Sequence, residues 1–243
     1  MWFDVIVVAV SVVAGAIASV TGFGIGSLLT PLLALQVDTR LAVAAISVPH
    51  VIGTGVRLWL LKGDVDRRVL WSFGITSAAG GLAGAALHTV ADNRWLNVLF
   101  GILLLFAALG EVTGLMRRMR LQGWIAWVAG AVSGLLGGLV GNQGGIRSAA
   151  LLGFDLSKQS FVGTATAIAL FVDAARLPIY LATQRREMFA LWQTIALAAA
   201  AVTVGTLVGS KLLGQIPGVW FRRALAFILA ILGGVMLMRG LMR

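Results

Sequence analysis

Long apolar segments follow one another along nearly the whole of this sequence, and the short segments between them carry most of its charge. Of the 243 residues, 59% are hydrophobic and 12% are charged, whereas ordinary soluble domains carry about 25% charged residues. A run of about 20 apolar residues is long enough to cross a bilayer as a helix. The sequence therefore predicts an all-α, multi-pass integral membrane protein with no room for a soluble domain.

The remaining composition argues against several classes of function. The chain has no cysteine, so disulfides and thiolate metal sites are excluded. Its formal net charge is +10, but the basic residues lie in short loops between spans, where membrane topology explains them better than a nucleic-acid partner does. It has no Ser/His/Asp arrangement, no paired carboxylates and no phosphate-binding loop, and two histidines cannot make a convincing metal site. We therefore predict neither an enzyme nor a cofactor.

Hydropathy predicts about eight transmembrane helices. The first is expected to be broken near 21–26 and the fifth near 141–145. The predicted spans are 3–36, 41–61, 69–89, 95–115, 123–153, 159–182, 189–211 and 219–239.

The fifth span is the most unusual. Its flanks are apolar, but its middle contains five glycines, each weakening a helix by about 1 kcal/mol relative to alanine. Asn142 and Gln143 are amides and Arg147 is a full charge. Irregular backbone at membrane depth is tolerated only where protein buries it or water reaches it. We expect a broken helix that restarts with Arg147 in its first turn. A helix N-terminus attracts anions, so the segment predicts an anion pocket.

The first span repeats this pattern. Gly22 and Gly141 are 119 residues apart, and so are Arg57 and Arg176. Further landmarks follow in the same order, which predicts two tandem four-helix repeats, each with a glycine-rich broken first helix. The predicted units are 1–115 for the first repeat, 116–123 for a basic linker and 124–243 for the second repeat.

The orientation follows if each broken helix crosses the membrane once. Both copies then enter from the same side, because each contains an even number of spans. Under this assumption ten basic residues fall on one side and six on the other. The positive-inside rule then predicts that both termini are cytoplasmic.

The candidate substrate-binding residues lie in the two breaks and on the second span of the second copy. Arg147 is either an anion ligand or a structural arginine that caps carbonyls of the broken helix. Asn142 and Gln143 either donate to an oxyanion or satisfy freed backbone groups. The threonines either contact substrate or bond back to their own helix. The candidates are Gly22, Gly24, Gly26, Ser27, Asn142, Gln143, Gly144, Gly145, Arg147, Thr164 and Thr166.

Four further ionisable residues are candidates for gating or proton coupling. Arg57 and Arg176 either line a cytoplasmic gate or snorkel from the span to water. Asp173 stands three residues before Arg176 on the same helix face, where it forms a local ion pair or carries protons. His50 either relays protons or hydrogen-bonds to a neighbouring helix.

The chain resembles the TauE/SafE family of sulfite exporters, also called the four-TMS-repeat sulfate/sulfonate permease family. The residues that carry the resemblance are GFGIGSLLTPLL at 22–33 and GNQGGIRSAALLGF at 141–154, with FVGTATA at 161–167 and RLPIY at 176–180. The resemblance implies secondary, proton-coupled transport of sulfite, sulfoacetate or other organosulfonates across the bacterial inner membrane.

Two departures from the family pattern predict an asymmetric pocket dominated by the second copy. Ala150 stands where the family commonly has a proline, which in the first copy is Pro31. Arg147 aligns with Leu28, so the positive charge has no counterpart in the first copy.

The function we predict is a secondary exporter of small sulfur-containing oxyanions that works by alternating access between two broken helices. Its partners are the anion, membrane lipids and protons, and a monomer or a homodimer would both fit. Two alternatives stay open at this point, a passive anion channel and a membrane scaffold or accessory subunit.

Overall fold

The computed structural model describes residues 2–114, 123–213 and 218–242, and these ranges are helical with no β-strand. Seven of the described helices are long and apolar enough to cross a membrane, and two shorter apolar helices accompany them. The predicted all-α membrane architecture is confirmed. Most of the predicted linker, residues 116–122, lies outside the described residues. The helices are α1 Trp2–Thr21, α2 Ile25–Ala34, α3 Thr39–Leu61, α4 Arg67–Val90, α5 Asn93–Thr113, α6 Trp124–Val140, α7 Gly144–Leu151, α8 Lys158–Ala190, α9 Trp192–Leu213 and α10 Gly218–Leu241.

Short polar residues start several of these helices. The side chains of Asp38, Asp92 and Ser157 accept backbone N–H groups at the starts of α3, α5 and α8, which satisfies donors that the helix itself leaves unpaired. One helix end differs from the prediction. The sixth span was expected to end at 182, but α8 continues to Ala190, with a kink at Gln184.

Both predicted helix breaks are present and depend on glycine. Gly22 (φ 81°) and Gly24 (φ 131°) separate α1 from α2, and Gly141 (φ 73°) separates α6 from α7. Positive φ angles of this kind are open to glycine at little cost and are unfavourable for residues with a side chain. The glycine pattern therefore identified the two points at which the chain turns.

The broken helices fold back instead of crossing the membrane once. A Cβ placed on Gly24 would lie 3.1 Å from Cγ2 of Ile17 and 3.9 Å from the carbonyl oxygen of Ala14, so α2 returns along α1. At its far end, the carbonyl oxygen of Ala34 accepts from Arg239, near the end of α10.

The second break has the same geometry. The hydroxyl of Ser133 in α6 donates to the carbonyl oxygen of Gln143 over 3.1 Å, so the chain after the break returns along α6. The single crossing that the predicted orientation assumed therefore does not occur in either segment. Glycine breaks a helix equally well whether the chain continues or reverses, and long-range packing decides between these two outcomes.

Helix pairing then defines two faces of the bundle. Helices α3 and α8 are antiparallel, since His50 contacts Asp173 and Arg57 contacts Thr166. Helices α5 and α10 are also antiparallel, with Gly101 against Gly233. We call the face that contains Trp2, Thr39, Trp192 and Leu241 the terminal face. The opposite face, with Leu61, Thr113, Trp124 and Lys158, is the linker face.

The other two close pairs are parallel and use small residues. Gly205 and Gly209 of α9 lie against Val12 and Ala16 of α1, and Gly80 and Gly84 of α4 lie against Ala131 and Leu135 of α6. A Cβ on Gly205 would come within 2.0 Å of a backbone oxygen of α1, so only glycine permits this approach. Such small-residue faces are typical of close helix packing in membranes.

This pairing bears on the predicted repeats. The fold-back gives each copy an odd number of passages between the faces, so the first copy begins at the terminal face and the second at the linker face. Equivalent helices pair antiparallel, and α1 pairs with α9 as α6 pairs with α4. We propose that units 1–115 and 124–243 are inverted copies related by a two-fold axis in the membrane plane. The expectation that both copies enter from one side depended on single crossings and does not hold.

Candidate functional site

The two helix breaks meet inside the bundle. A Cβ on Gly26 would lie 2.4 Å from the carbonyl oxygen of Gly141, and one on Gly144 would lie 2.5 Å from Cβ of Phe23. The backbones of the two breaks are therefore in direct contact, and glycine at both positions is what allows it. The starts of α2 and α7 lie beside each other at this crossing.

Neither helix start is capped by a side chain. The residues before the two helices, Gly24 and Gln143, make no side-chain capping hydrogen bond. The first N–H groups of a helix have no partner within it, and they lie at the positive end of the helix dipole. Two uncapped helix starts that lie beside each other in the interior form a favourable environment for an anion.

Two arginines reach this crossing from different helices. Arg147 of α7 donates from Nη2 to the carbonyl oxygen of Gly22 over 3.0 Å, and Arg57 of α3 donates from Nη2 to the same oxygen over 3.5 Å. Each residue is only 2% exposed. Their two Nη2 atoms are consequently within 6.5 Å of each other, in the interior of the bundle.

Several donors of these residues have no partner. The unpartnered buried atoms at the crossing are Nη1 of Arg57, Nε and Nη1 of Arg147, Nδ2 of Asn142 and Oε1 of Gln143. The oxygen and nitrogen of a side-chain amide are assigned from their hydrogen bonds, so Gln143 can present a donor at the same point after rotation. Buried polar groups are normally paired. A concentration of unpaired donors indicates a site for an acceptor-rich ligand.

A second charged cluster lies between α3 and α8. Oδ2 of Asp173 is 2.7 Å from Nδ1 of His50, and Oδ1 accepts from Nε of Arg176 over 2.9 Å. Arg176 also donates from Nη1 to the carbonyl oxygen of Gly137 over 2.7 Å. The local ion pair of Asp173 and the interhelical hydrogen bond of His50, each one of the two alternatives considered for its residue, are both present and share one carboxylate.

The hydroxyl residues divide between the crossing and the linker face. Ser27 donates to Oδ1 of Asn142 over 3.3 Å, so it joins the crossing. Thr166 accepts from Nε of Arg57 and donates to the carbonyl oxygen of its own helix at Val162. Thr164 accepts the backbone N–H of Asp66. The structure therefore brings Thr166 to the arginines but places Thr164 against the loop after α3.

The positions of Arg57 and Arg176 were only partly predictable. The snorkelling interpretation is wrong, because both side chains are 2% exposed and bond to groups inside the bundle. Arg57 stands four residues from the end of α3, a distance that suits snorkelling and inward packing equally. The anion pocket was also expected to be formed mainly by the second copy. The first copy contributes to it as well, through Arg57 and Gly22.

A cavity of about 470 Å³ leads from the linker face toward the crossing. Thr113, Lys158 and Arg222 lie in its outer part, and Phe23 and Gly145 lie at its inner end. Gly145 is the second residue of α7. The cavity thus gives a route from this face to the start of that helix.

Among the described residues, no group of three or more His, Asp or Glu side chains is placed to hold a metal ion. The arrangement instead offers guanidinium groups, amides and helix N-termini, which bind oxyanions.

Comparison with known families decides the class. The family model described as "Sulfite exporter TauE/SafE" matches residues 7–236. The chain belongs to the TauE/SafE family. Membership makes it a multi-pass membrane transporter of sulfite or related sulfur anions, which also fits the prediction that it is not an enzyme. No curated protein and no solved structure shows a significant match. The TauE/SafE match contains both breaks and both charged clusters.

Proposed function

We propose that this chain is a proton-coupled exporter of small sulfur oxyanions, and that the crossing of the two helix breaks is its substrate site. The observation that carries the proposal is the pair of buried guanidinium groups of Arg57 and Arg147, which have unpartnered donors beside two uncapped helix starts. Because TauE/SafE proteins transport sulfur anions, we take the anion bound at this site to be the transported substrate.

Binding would use the guanidinium donors that the protein leaves unpaired. The carbonyl oxygen of Gly22 occupies one nitrogen of each arginine, and an oxyanion would take the remaining donors. Hydrogen bonds to charged groups contribute about 1.5–3 kcal/mol each. The amides of Asn142 and Gln143 then orient the anion, and the N–H groups of the first turns of α2 and α7 add to its stabilisation.

Alternating access would follow from the inverted arrangement. The cavity described above leads from the linker face to Phe23 and Gly145, which border the site. At the terminal face, the ring nitrogens of His88 lie 2.7 Å from the carbonyl oxygen of Leu139 and 3.2 Å from that of Arg40, and Tyr180 donates to the carbonyl oxygen of Gly138. These contacts hold the end of α6 in place. If the two copies exchange conformations, the linker face closes while the terminal face opens, and the anion is released on the other side of the membrane.

Proton coupling would use the cluster around Asp173. His50 and Arg176 share this carboxylate, so a proton gained or lost on His50 or Asp173 changes the charge between α3 and α8. The same two helices carry Arg57 and its partner Thr166. Protonation is thereby linked to the packing that positions one of the two substrate arginines.

We propose the bacterial inner membrane as the location, with the linker face in the cytoplasm. Basic residues are more numerous there, as the positive-inside rule requires. This orientation puts both termini outside, opposite to the orientation expected from single crossings. Apart from the three buried arginines, the described basic residues are Lys62, Arg67, Arg68, Lys158, Lys211, Arg222 and Arg223 at the linker face, and Arg40, Arg94, Arg185, Arg186 and Arg239 at the terminal face.

The test is sulfite flux in proteoliposomes with and without an imposed pH gradient. The wild type should show saturable uptake that the gradient accelerates, whereas Arg147→Gln should show little flux at any gradient. The control is Arg185→Gln, because Arg185 is exposed. Normal flux in Arg147→Gln would remove the proposed site. Saturable flux without any effect of pH would favour a passive channel, and the absence of flux and binding would favour a scaffold.

A further inference from the structure

We infer that the crossing selects doubly charged oxyanions over singly charged oxyanions of the same shape. The inference rests on the proposed function, since it assigns the charge class of the substrate bound at that site. It depends on the count of buried charges and on the kind of hydrogen-bonding groups that line the crossing.

The charge count leaves two positive groups without a negative partner. Among the buried residues of the described ranges, Asp173 is the one carboxylate. It is already bound to Arg176 and His50, at distances of 2.7–2.9 Å. Arg57 and Arg147 meet only a threonine hydroxyl and the Gly22 carbonyl oxygen. A ligand with two negative charges neutralises both guanidinium groups, whereas a ligand with one leaves a buried charge uncompensated.

The hydrogen-bonding groups point the same way. The unpartnered atoms of Arg57, Arg147 and Asn142 at the crossing are all donors, and arginine cannot become an acceptor. An oxyanion that retains a proton presents an O–H group to these donors. One that carries a methyl group in place of an oxygen loses an acceptor there. Both kinds of ligand give these donors fewer and weaker acceptor lone pairs than a fully deprotonated oxyanion of the same shape does.

The closing experiment compares two tetrahedral ligands of similar size. Purified protein is titrated calorimetrically with sulfate, a dianion, and with methanesulfonate, in which a methyl group replaces one charged oxygen. Wild type should bind sulfate at least about tenfold more tightly. Arg57→Gln should reduce the ratio of the two affinities to about threefold or less, because the second charge of sulfate then has no positive partner. Arg57→Lys keeps the positive charge and should retain the ratio. Size-exclusion profiles identify variants that remain folded.

A pH series supplies a second readout. Affinity for sulfite should rise with pH as its singly charged form is depleted, while affinity for sulfate, which keeps both charges, should stay within about twofold over the same range. Equal affinities for sulfate and methanesulfonate would overturn the inference and leave the proposed site intact. If the wild type binds none of sulfate, methanesulfonate and sulfite, both the inference and the proposed site are overturned.

Discussion

The guanidinium groups of Arg57 and Arg147 converge on one acceptor, the carbonyl oxygen of Gly22. Two like charges 6.5 Å apart, the largest separation of the two Nη2 atoms that these contacts allow, repel each other by roughly 2.6 kcal/mol at an effective dielectric constant of 20. Such an arrangement is unfavourable in the empty site and becomes favourable when an anion lies between the two side chains. The crossing is therefore built for a ligand at some cost to the unliganded fold, as is usual for functional sites.

The contact between the two breaks should tolerate no side chain at Gly26. We expect Gly26→Ala to destabilise the protein by about 1–3 kcal/mol, the usual cost of overpacking, because the new Cβ would lie 2.4 Å from the Gly141 carbonyl oxygen. Gly55→Ala is the matched control, since a Cβ there meets nothing within 4 Å and alanine favours helix. Thermal unfolding in detergent measures both variants. Equal midpoints would show that the breaks do not touch.

The contacts of His88 should stabilise the closed terminal face. His88→Leu removes the imidazole beside the carbonyl oxygen of Leu139, in the last turn of α6, and an unsatisfied buried group costs about 1–3 kcal/mol. We expect a lower free energy of unfolding in denaturant titrations. Thr89→Ala, at an exposed neighbour whose hydroxyl bonds its own helix, should change stability by less than about 0.5 kcal/mol. If His88→Leu has the same free energy of unfolding as the wild type, these contacts do not stabilise the closed terminal face.

Removal of the Asp173 charge should uncouple transport from pH. Asp173→Asn leaves Arg176 without its carboxylate, and the loss of one partner of a buried pair costs about 3–5 kcal/mol, so the variant should be less stable. In the fraction that folds, we expect sulfite flux that no longer responds to a pH gradient. Glu187→Gln, at an exposed position, should retain the wild-type response. A full pH response in Asp173→Asn would place proton coupling elsewhere.

The proposed orientation can be tested by cysteine labelling, because the natural chain has no cysteine. Arg186→Cys places a thiol near the terminal face and Gly63→Cys places one at the linker face, both at exposed positions. In intact cells, a membrane-impermeant maleimide should label Arg186→Cys and should leave Gly63→Cys unlabelled until the cells are lysed. The reverse pattern would put both termini in the cytoplasm.

The sequence was sufficient to predict the long apolar helices and the positions of the two breaks. Hydropathy and glycine act locally, so their effects can be read from a short window. The reversal of the chain at Gly22 and Gly141 could not be predicted in this way, because it depends on contacts such as that between Arg239 and Ala34, which are 205 residues apart.

The candidate site shows the same division. Arg147 was identified because a charge within a glycine-rich apolar segment is costly and needs a reason. Arg57 reaches the same carbonyl oxygen because α3 packs against the first break. This packing cannot be predicted from a short window of sequence. The sharing of Asp173 between Arg176 and His50 likewise combines a spacing of three residues, visible in the sequence, with an interhelical contact that is not.

The central claim is that Arg147 holds the transported anion, and thermal stabilisation by sulfite tests it most directly. At about 100 times its dissociation constant, sulfite should add about 2.7 kcal/mol to the stability of the wild type. Arg147→Gln should lose this stabilisation while its unliganded form stays at least as stable as the wild type, because an unpaired buried charge has been removed. An unliganded Arg147→Gln that is less stable, yet is stabilised by sulfite as strongly as the wild type, would contradict the account and make Arg147 a structural residue.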